Sequence, residues 1–260
     1  MHLGNGAITP ECVALTYGAA AAGLGVCALR TKTQGAKVSA EKLQTAAALG
    51  CLVFAAQAIN VPIAPGTSAH LVGGVLLAWI LGPALGAWTM AIVLTAQALL
   101  LGDGGIAALG ANVLNMALLP AGIVAAIRRL EPVTASPIAP RTTLALAAGL
   151  AVPLAAVLIV AETALFRPLA ELTGWTSFAA LMLGTHAWIG FLEAGMTTML
   201  VAALMPLASP VSAPTNWRPA LVAIAAGLLL AALLVPISSS LPDGYEAAAQ
   251  ASGMEWLLAR

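Results

Sequence analysis

Of 260 residues, 61% are hydrophobic and only 8% charged, the formal net charge is zero and the mean hydropathy is +0.99. A soluble domain carries roughly a quarter charged residues, so the composition excludes a soluble globular protein and demands a bilayer, while the balanced charge leaves no electrostatic footprint for nucleic acid. Aromatic content is low at 5% and Ala and Gly are abundant, which favours helices packed closely through small residues.

The chain opens MHLGNGAITP, with no Lys or Arg, and the apolar run behind it has no cleavage pattern, so no cleavable signal peptide is expected. His2 is bulky, and removal of the initiator generally needs a small second residue, so Met1 is expected to keep a free amine. Pro, Gly and charge then divide the sequence into eight candidate spans, 12–29, 43–60, 69–81, 83–101, 106–127, 143–161, 178–204 and 220–236. The third is too short to cross comfortably and reads as tilted or re-entrant, joined to the fourth at Gly82-Pro83. The Pro/Ser-containing stretch MPLASPVSAPTNWRP separates seven core helices from one accessory helix and a polar tail. The organisation expected is therefore a membrane domain over 1–204, a linker over 205–219 and an accessory helix with its tail over 220–260.

Basic residues set the orientation. With the N-terminus outside, the inner connections hold Arg30, Lys32, Lys37, Lys42, Arg128, Arg129, Arg141 and Arg218, leaving Arg167 and Arg260 outside, a strong positive-inside bias. The MHLGNG start, the loop VPIAPGTSAH and the turn GDGG at 102–105 then share the extracytoplasmic side.

Histidine occurs three times, as His2, His70 and His186. HExxH, GxGxxG and GxxxxGK[ST] are all missing, so the sequence encodes neither a zinc-protease helix nor an ATP site, and ATP-driven transport would need a separate subunit. A terminal amine, the next peptide nitrogen and the Nδ1 of a second-position His can close two fused chelate rings on one divalent ion, and such a tetragonal nitrogen set suits Ni(II) or Cu(II). The plain alternative for Met1-His2 is a disordered overhang. His70 stands where PGTSAH enters the third helix, either as a helix-start histidine bonded to backbone, with Gly66, Thr67 and Ser68 forming a turn and N-cap, or as a fourth nitrogen ligand. His186 and Glu193 lie on nearly one face of their helix, where structural hydrogen bonding and a supporting role at a site both remain open, and Glu162 is equally ambiguous. Gln57, Asn60, Gln97, Asn112 and Asn115 punctuate apolar helices as interhelical hydrogen-bonding groups, some near enough to the outer ends to orient an imidazole. Cys12, Cys27 and Cys51 show no CxxC spacing and read as small buried hydrophobes.

Four segments together resemble one family. MHLGNGAITP, FAAQAINVPIAPGTSAHLVGGVLLAWILGP, LTAQALLLGDGGIAALGANVLNMAL and THAWIGFLEAGMTTMLVAAL are similar, in order from Met1 to about Leu204, to blocks of the cobalt/nickel substrate-capture components of energy-coupling-factor (ECF) transporters, the CbiM/NikM type. The tail SSSLPDGYEAAA resembles the PDGLE motif of their small accessory subunit, with Tyr245 in place of Leu, and the chain stops without the further helix expected after that motif. Gly4-Asn5 stands where the family has Pro-Asp, and Ala64-Pro65 where it often has Pro-Gly or Gly-Gly.

The resemblance implies an all-α polytopic membrane protein of a prokaryotic cell membrane, with about seven core transmembrane helices plus one accessory helix and the N-terminus extracytoplasmic and inserted into the bundle. It implies a non-enzymatic capture subunit whose substrate is nickel(II) or cobalt(II), held by Met1, His2 and His70, with Asn5, Gln57, Asn60, Ser68 and Asn112 as candidates to orient those ligands. Its implied partners are a transmembrane coupling protein, two ATP-binding-cassette ATPases and a small accessory subunit. Gly18 and Ala22 offer a small-residue face for the coupling protein. Two rival classes stand beside it. A stand-alone secondary carrier or channel would need ionisable groups spread across the membrane, and an intramembrane metal hydrolase would need an open ligand set with an acid/base group.

Overall fold

A bilayer offers no water to unpaired backbone groups, so long runs of Ala, Leu, Gly and Val close their hydrogen bonds internally as helices. The computed structural model describes residues 2–33, 38–130, 139–204, 225 and 238–258. Helix α1 (Pro10–Thr33) starts on a proline, whose missing N–H costs nothing at that position. Helix α2 (Ala40–Gln57) is capped by Ser39, whose hydroxyl accepts the Lys42 N–H at 3.2 Å.

A two-stranded antiparallel hairpin follows, β1 (Val61–Ala64) and β2 (Thr67–Ala69), turned by Gly66 at φ 72°. The short third span is helix α3 (Gly74–Leu81), which begins later than the sequence suggests because the hairpin and the left-handed Gly73 take up its start. Val75, Leu76, Leu77 and Ala78 are all buried, and a helix apolar all round belongs in the middle of a bundle. Gly82, at φ 88°, breaks the chain before helix α4 (Pro83–Leu100).

Next come α5 (Leu109–Val113), a π-helical stretch (Leu114–Leu118) and α6 (Leu119–Leu130) in continuous succession, then α7 (Ala139–Ala164), α8 (Trp175–Leu204) and the short α9 (Gly244–Ala251). Among the described residues, five helices are long and apolar enough to cross a membrane: Pro10–Thr31, Pro83–Leu100, Leu109–Arg129, Arg141–Ala164 and Trp175–Leu204. The seven core candidates correspond to α1, α2, α3, α4, α5–α6, α7 and α8, of which α2 and α3 fall outside those five. The linker at 205–219 lies outside the described residues, as does the eighth candidate apart from Ala225.

Small residues set the closest approach in the bundle. A Cβ at Gly190 of α8 would stand 2.5 Å from the Gly149 carbonyl of α7 and 3.0 Å from the Pro153 ring. Pro153 supplies no N–H to that carbonyl, and the bare Gly190 backbone lets the two helices meet there. Cys12 is buried, Cys27 and Cys51 are half-buried, and all three are free.

Candidate metal site

The segment from His2 to Ile8 is anchored to the bundle at Leu3, Ala7 and Ile8, all buried. Leu3 is fully buried, and its peptide is held by three bonds: the Leu3 N–H donates to Asn112 Oδ1 at 2.9 Å, Asn112 Nδ2 donates to the Leu3 carbonyl at 3.2 Å, and the Gly105 N–H donates to the same carbonyl at 2.8 Å. Asn5 Oδ1 accepts the Ala107 N–H at 2.9 Å. Arg167 Nη2 donates to the carbonyls of Gly6 and Ala7 at 3.1 and 3.3 Å.

The GDGG turn makes this contact possible. Gly104 sits at φ 83° with its would-be Cβ 3.2 Å from the Cβ of His2, and a Cβ at Gly105 would collide with the Asn5 backbone nitrogen. Only glycine lets two backbone segments approach so closely.

His2 and His70 face one another with rings stacked, centroids 5.6 Å apart and planes at 11°. His70 Nδ1 lies 3.0 Å from the Leu71 carbonyl. A carbonyl only accepts, so the proton sits on Nδ1 and the Nε2 lone pair is left to bind. Burial pushes the His70 imidazole down to about 4, so the ring is neutral at pH 7. His2 Nδ1 pairs with Asp103 Oδ1 at 3.1 Å, and its Nε2 is buried without a partner among the described residues. An amine-peptide-imidazole chelate needs that Nδ1, so the ring must leave Asp103 to adopt it. Burial pushes the Asp103 carboxyl up, but the hydrogen bond from His2 outweighs it and brings the group down to about 2.

The corner that follows His70 is gripped from two sides. The Glu193 carboxylate accepts the Val72 and Gly73 N–H groups at 3.0 and 2.8 Å, and Gln57 Nε2 donates to the Val72 carbonyl at 2.6 Å. Glu193, which the sequence leaves between two roles, therefore orients the His70 loop, as Gln57 does. Glu162 Oε2 accepts from Asn115 Nδ2 at 2.7 Å, joining α7 to the π-helical stretch.

The Asn60 backbone and the Ser68 side chain bind the tail, while Asn60 Oδ1 is buried without a partner among the described residues. The Asn60 N–H donates to Ser238 Oγ at 2.7 Å and its carbonyl accepts the Ser239 N–H at 2.8 Å, while Ser68 Oγ donates to the Leu241 carbonyl at 2.7 Å. Ser68 is also not the cap of α3, which starts after Gly73. Both residues hold the tail, a contact between sequence ends that no local pattern reveals.

Met1 lies outside the described residues. The structure thus brings His2, His70, Asn5 and Asn112 into one neighbourhood, with Gln57 behind His70. It adds Asp103 and Asp243, which line one polar cleft with His2. The GDGG turn is legible in the sequence, but nothing local shows that its aspartate faces His2. Among the described residues, no three His, Cys, Asp or Glu side chains assemble into a metal cage.

The model of the family described as the cobalt uptake substrate-specific transmembrane region, CbiM, matches residues 2–211. The chain belongs to the CbiM family. It is 32% identical over 211 residues to a protein of Haloquadratum walsbyi named for metal transport, an alignment covering 78% of this chain and 91% of that one. It is 47% identical over 118 residues to a protein of Archaeoglobus fulgidus named for fused nickel transport, covering 45% of this chain and 38% of that one. Against the fused nickel transport protein NikMN of Rhodobacter capsulatus, identity is 32% over 130 residues, covering 50% and 37%. The chain thus aligns with well under half the length of these two fused relatives. A crystal structure of a transition metal transporter superposes with a TM-score of 0.66 at 29% identity, covering 80% of this chain and 93% of that one. With its apolar helices, the family membership makes this a multi-pass membrane protein of a prokaryote, all-α apart from the small hairpin.

Proposed function

We propose that the chain is the substrate-specific component of an ATP-driven ECF importer, taking a nickel(II) or cobalt(II) ion from the extracytoplasmic side. The observation that carries this reading is the pair of stacked imidazoles beside the anchored N-terminal segment, with the His70 Nε2 lone pair left to bind. The metal would be held by the Met1 amine, the His2 peptide nitrogen and imidazole Nδ1, and His70 Nε2. Such a set draws on the chain terminus and backbone, so it does not register as a cage of side chains. Capture exchanges the His2–Asp103 pair for the His2–metal bond and leaves the Asp103 carboxylate as a nearby counter-charge. Neutral imidazole and a deprotonated peptide nitrogen make binding release protons and weaken in acid.

The CbiM membership and the relatives named for nickel and cobalt transport support this substrate class. The partners in the proposal are a transmembrane coupling protein, two ATP-binding-cassette ATPases and a small accessory subunit, whose motif the tail within 220–260 resembles. Residues 1–204 form the capture domain in this reading, with the N-terminus outside. The deep carboxylates Glu162 and Glu193 are both engaged in hydrogen bonds that hold structure, which favours a receptor over a stand-alone carrier.

The test is nickel and cobalt binding to the purified chain with its native start, to His2→Ala, and to a form with one residue added before Met1. Binding should vanish in both variants. Retained affinity in the extended form removes the terminal chelate, and metal uptake by the pure chain in vesicles lacking ATPases turns the reading to a secondary carrier.

A further inference from the structure

The far end of the chain lies across the histidine pair. The Ser68 N–H donates to the Pro242 carbonyl at 2.8 Å, Ser68 forms a parallel bridge with Asp243, and Ser68 stands two positions before His70. Ser238 and Ser239 bind Asn60 at the other end of the hairpin, so the tail adds a short edge to the loop that carries His70.

From there α9 drops into the bundle. Gly244 is wedged against α8, its would-be Cβ 3.0 Å from both Thr185 Cγ2 and Ile189 Cδ1 and 3.1 Å from His186 Cε1. Tyr245 is buried, donates its hydroxyl to the Leu257 carbonyl at 2.9 Å and meets Phe178 edge-on at 6.0 Å. Trp256 packs under the Arg167 guanidinium at 4.1 Å, the same guanidinium that binds Gly6 and Ala7. One side chain therefore ties the first segment to the last.

Asp243 sits at the centre of this arrangement. Its Oδ1 accepts the Tyr245 and Glu246 N–H groups at 2.9 and 2.8 Å, and Glu246 Oε2 accepts the Asp243 N–H at 3.1 Å, a complete capping box that starts α9. The same residue lines a polar cleft with His2 and Asp103 on one side. On the other it lines a small space with His70 and His186. His186 is fully buried, its Nδ1 donates to the Met182 carbonyl at 2.8 Å, and its Nε2 has no partner among the described residues. A buried polar nitrogen left bare costs free energy unless a ligand or water engages it.

We propose that residues 238–258 are a built-in lid over the histidine pair, and that Asp243 is a substrate-facing carboxylate that retains the captured dication, with His186 backing the same space. The inference rests on the capture reading above. An amine, an anionic peptide nitrogen and two neutral imidazoles leave a divalent ion with one net positive charge in a buried place, and the carboxylates of Asp103 and Asp243, which line one cleft with His2, share its compensation. Because Asp243 is held in place by the cap and by Ser68, the charge and the cover come and go together. Closing the lid slows metal release, and by linkage bound metal tightens the docking of the tail.

The test uses the full chain loaded with nickel(II) chloride, with release followed after addition of excess EDTA. Asn is as good a helix cap as Asp, so Asp243→Asn keeps α9 while removing the charge. It should speed release about tenfold, since losing one partner of a buried charge pair acts mainly on dissociation. Gly244→Val, which drives a side chain into Thr185 and Ile189, should speed release as well and should raise amide exchange at Ser68. Wild type should show slower Ser68 exchange with nickel than without it. Unchanged release in Asp243→Asn, with wild type holding nickel in a His2-dependent manner, overturns the lid and leaves capture standing. Failure of wild type to hold nickel at all overturns capture itself. If Asp243→Asn unfolds, the Ser68 exchange difference in wild type decides alone, and its absence overturns the lid.

Discussion

Asn112 holds the peptide of Leu3 with both ends of its amide, accepting the N–H at 2.9 Å and donating to the carbonyl at 3.2 Å. A helix in the middle of the bundle thereby fixes the residue directly after His2. Replacing Asn112 with Ala leaves a buried donor unpaired and weakens the hold on the carbonyl, a loss of about 1–3 kcal/mol. We expect nickel affinity to fall together with the melting temperature. Isothermal titration beside a thermal melt checks it, and unchanged affinity removes the clamp from the argument.

Glu193 accepts two backbone N–H groups, which a carboxylate does with both oxygens. Glu193→Gln offers one oxygen and one NH2, so one of those N–H groups must face a donor. The substitution should destabilise the protein by about 1–3 kcal/mol and loosen the His70 corner, seen as lower metal affinity. A Gln variant that binds metal and melts like wild type would show that the loop is set elsewhere.

A methyl group at Gly105 would collide with the Asn5 backbone nitrogen, far from any helix interior. Gly105→Ala should therefore displace the N-terminal segment and abolish metal binding while helical circular dichroism stays unchanged. Simultaneous loss of helix content would instead mark Gly105 as needed for folding at large.

Acid should destabilise the metal-free protein in two windows. The His70 imidazole lies at about 4 against an ordinary 6.5, so between those values the unfolded chain binds more protons and stability falls as the pH drops from 6.5 to 4. The Asp103 carboxyl lies at about 2 against 3.8, so its contribution, intact above 3.8, is lost as the pH falls towards 2. Melting temperature against pH reads both, and His70→Gln should make stability fall less steeply in the upper window.

Gly18 has open space around it, and Ala22 is exposed on the same helix. Substituting both with Leu should leave the isolated chain folded and able to bind nickel, yet prevent co-purification with the coupling protein. Intact assembly would move that contact to another face.

The membrane class, the length of the spans and the short, broken third element are all legible in the amino-acid sequence, because they depend on hydropathy and on Gly and Pro acting within a few residues. The two histidines stand out for the same reason, as polar groups beside apolar runs. Only the tertiary structure decided what surrounds them. Hydrogen bonds from Asn112 to Leu3, Glu193 to Val72 and Gly73, and Ser68 to the tail join residues far apart along the chain. Local propensity carries no information on such pairings. Ser68 shows the limit most clearly: a polar residue near a candidate ligand, it turns its hydroxyl to the opposite end of the chain because the backbone there carries groups that need partners.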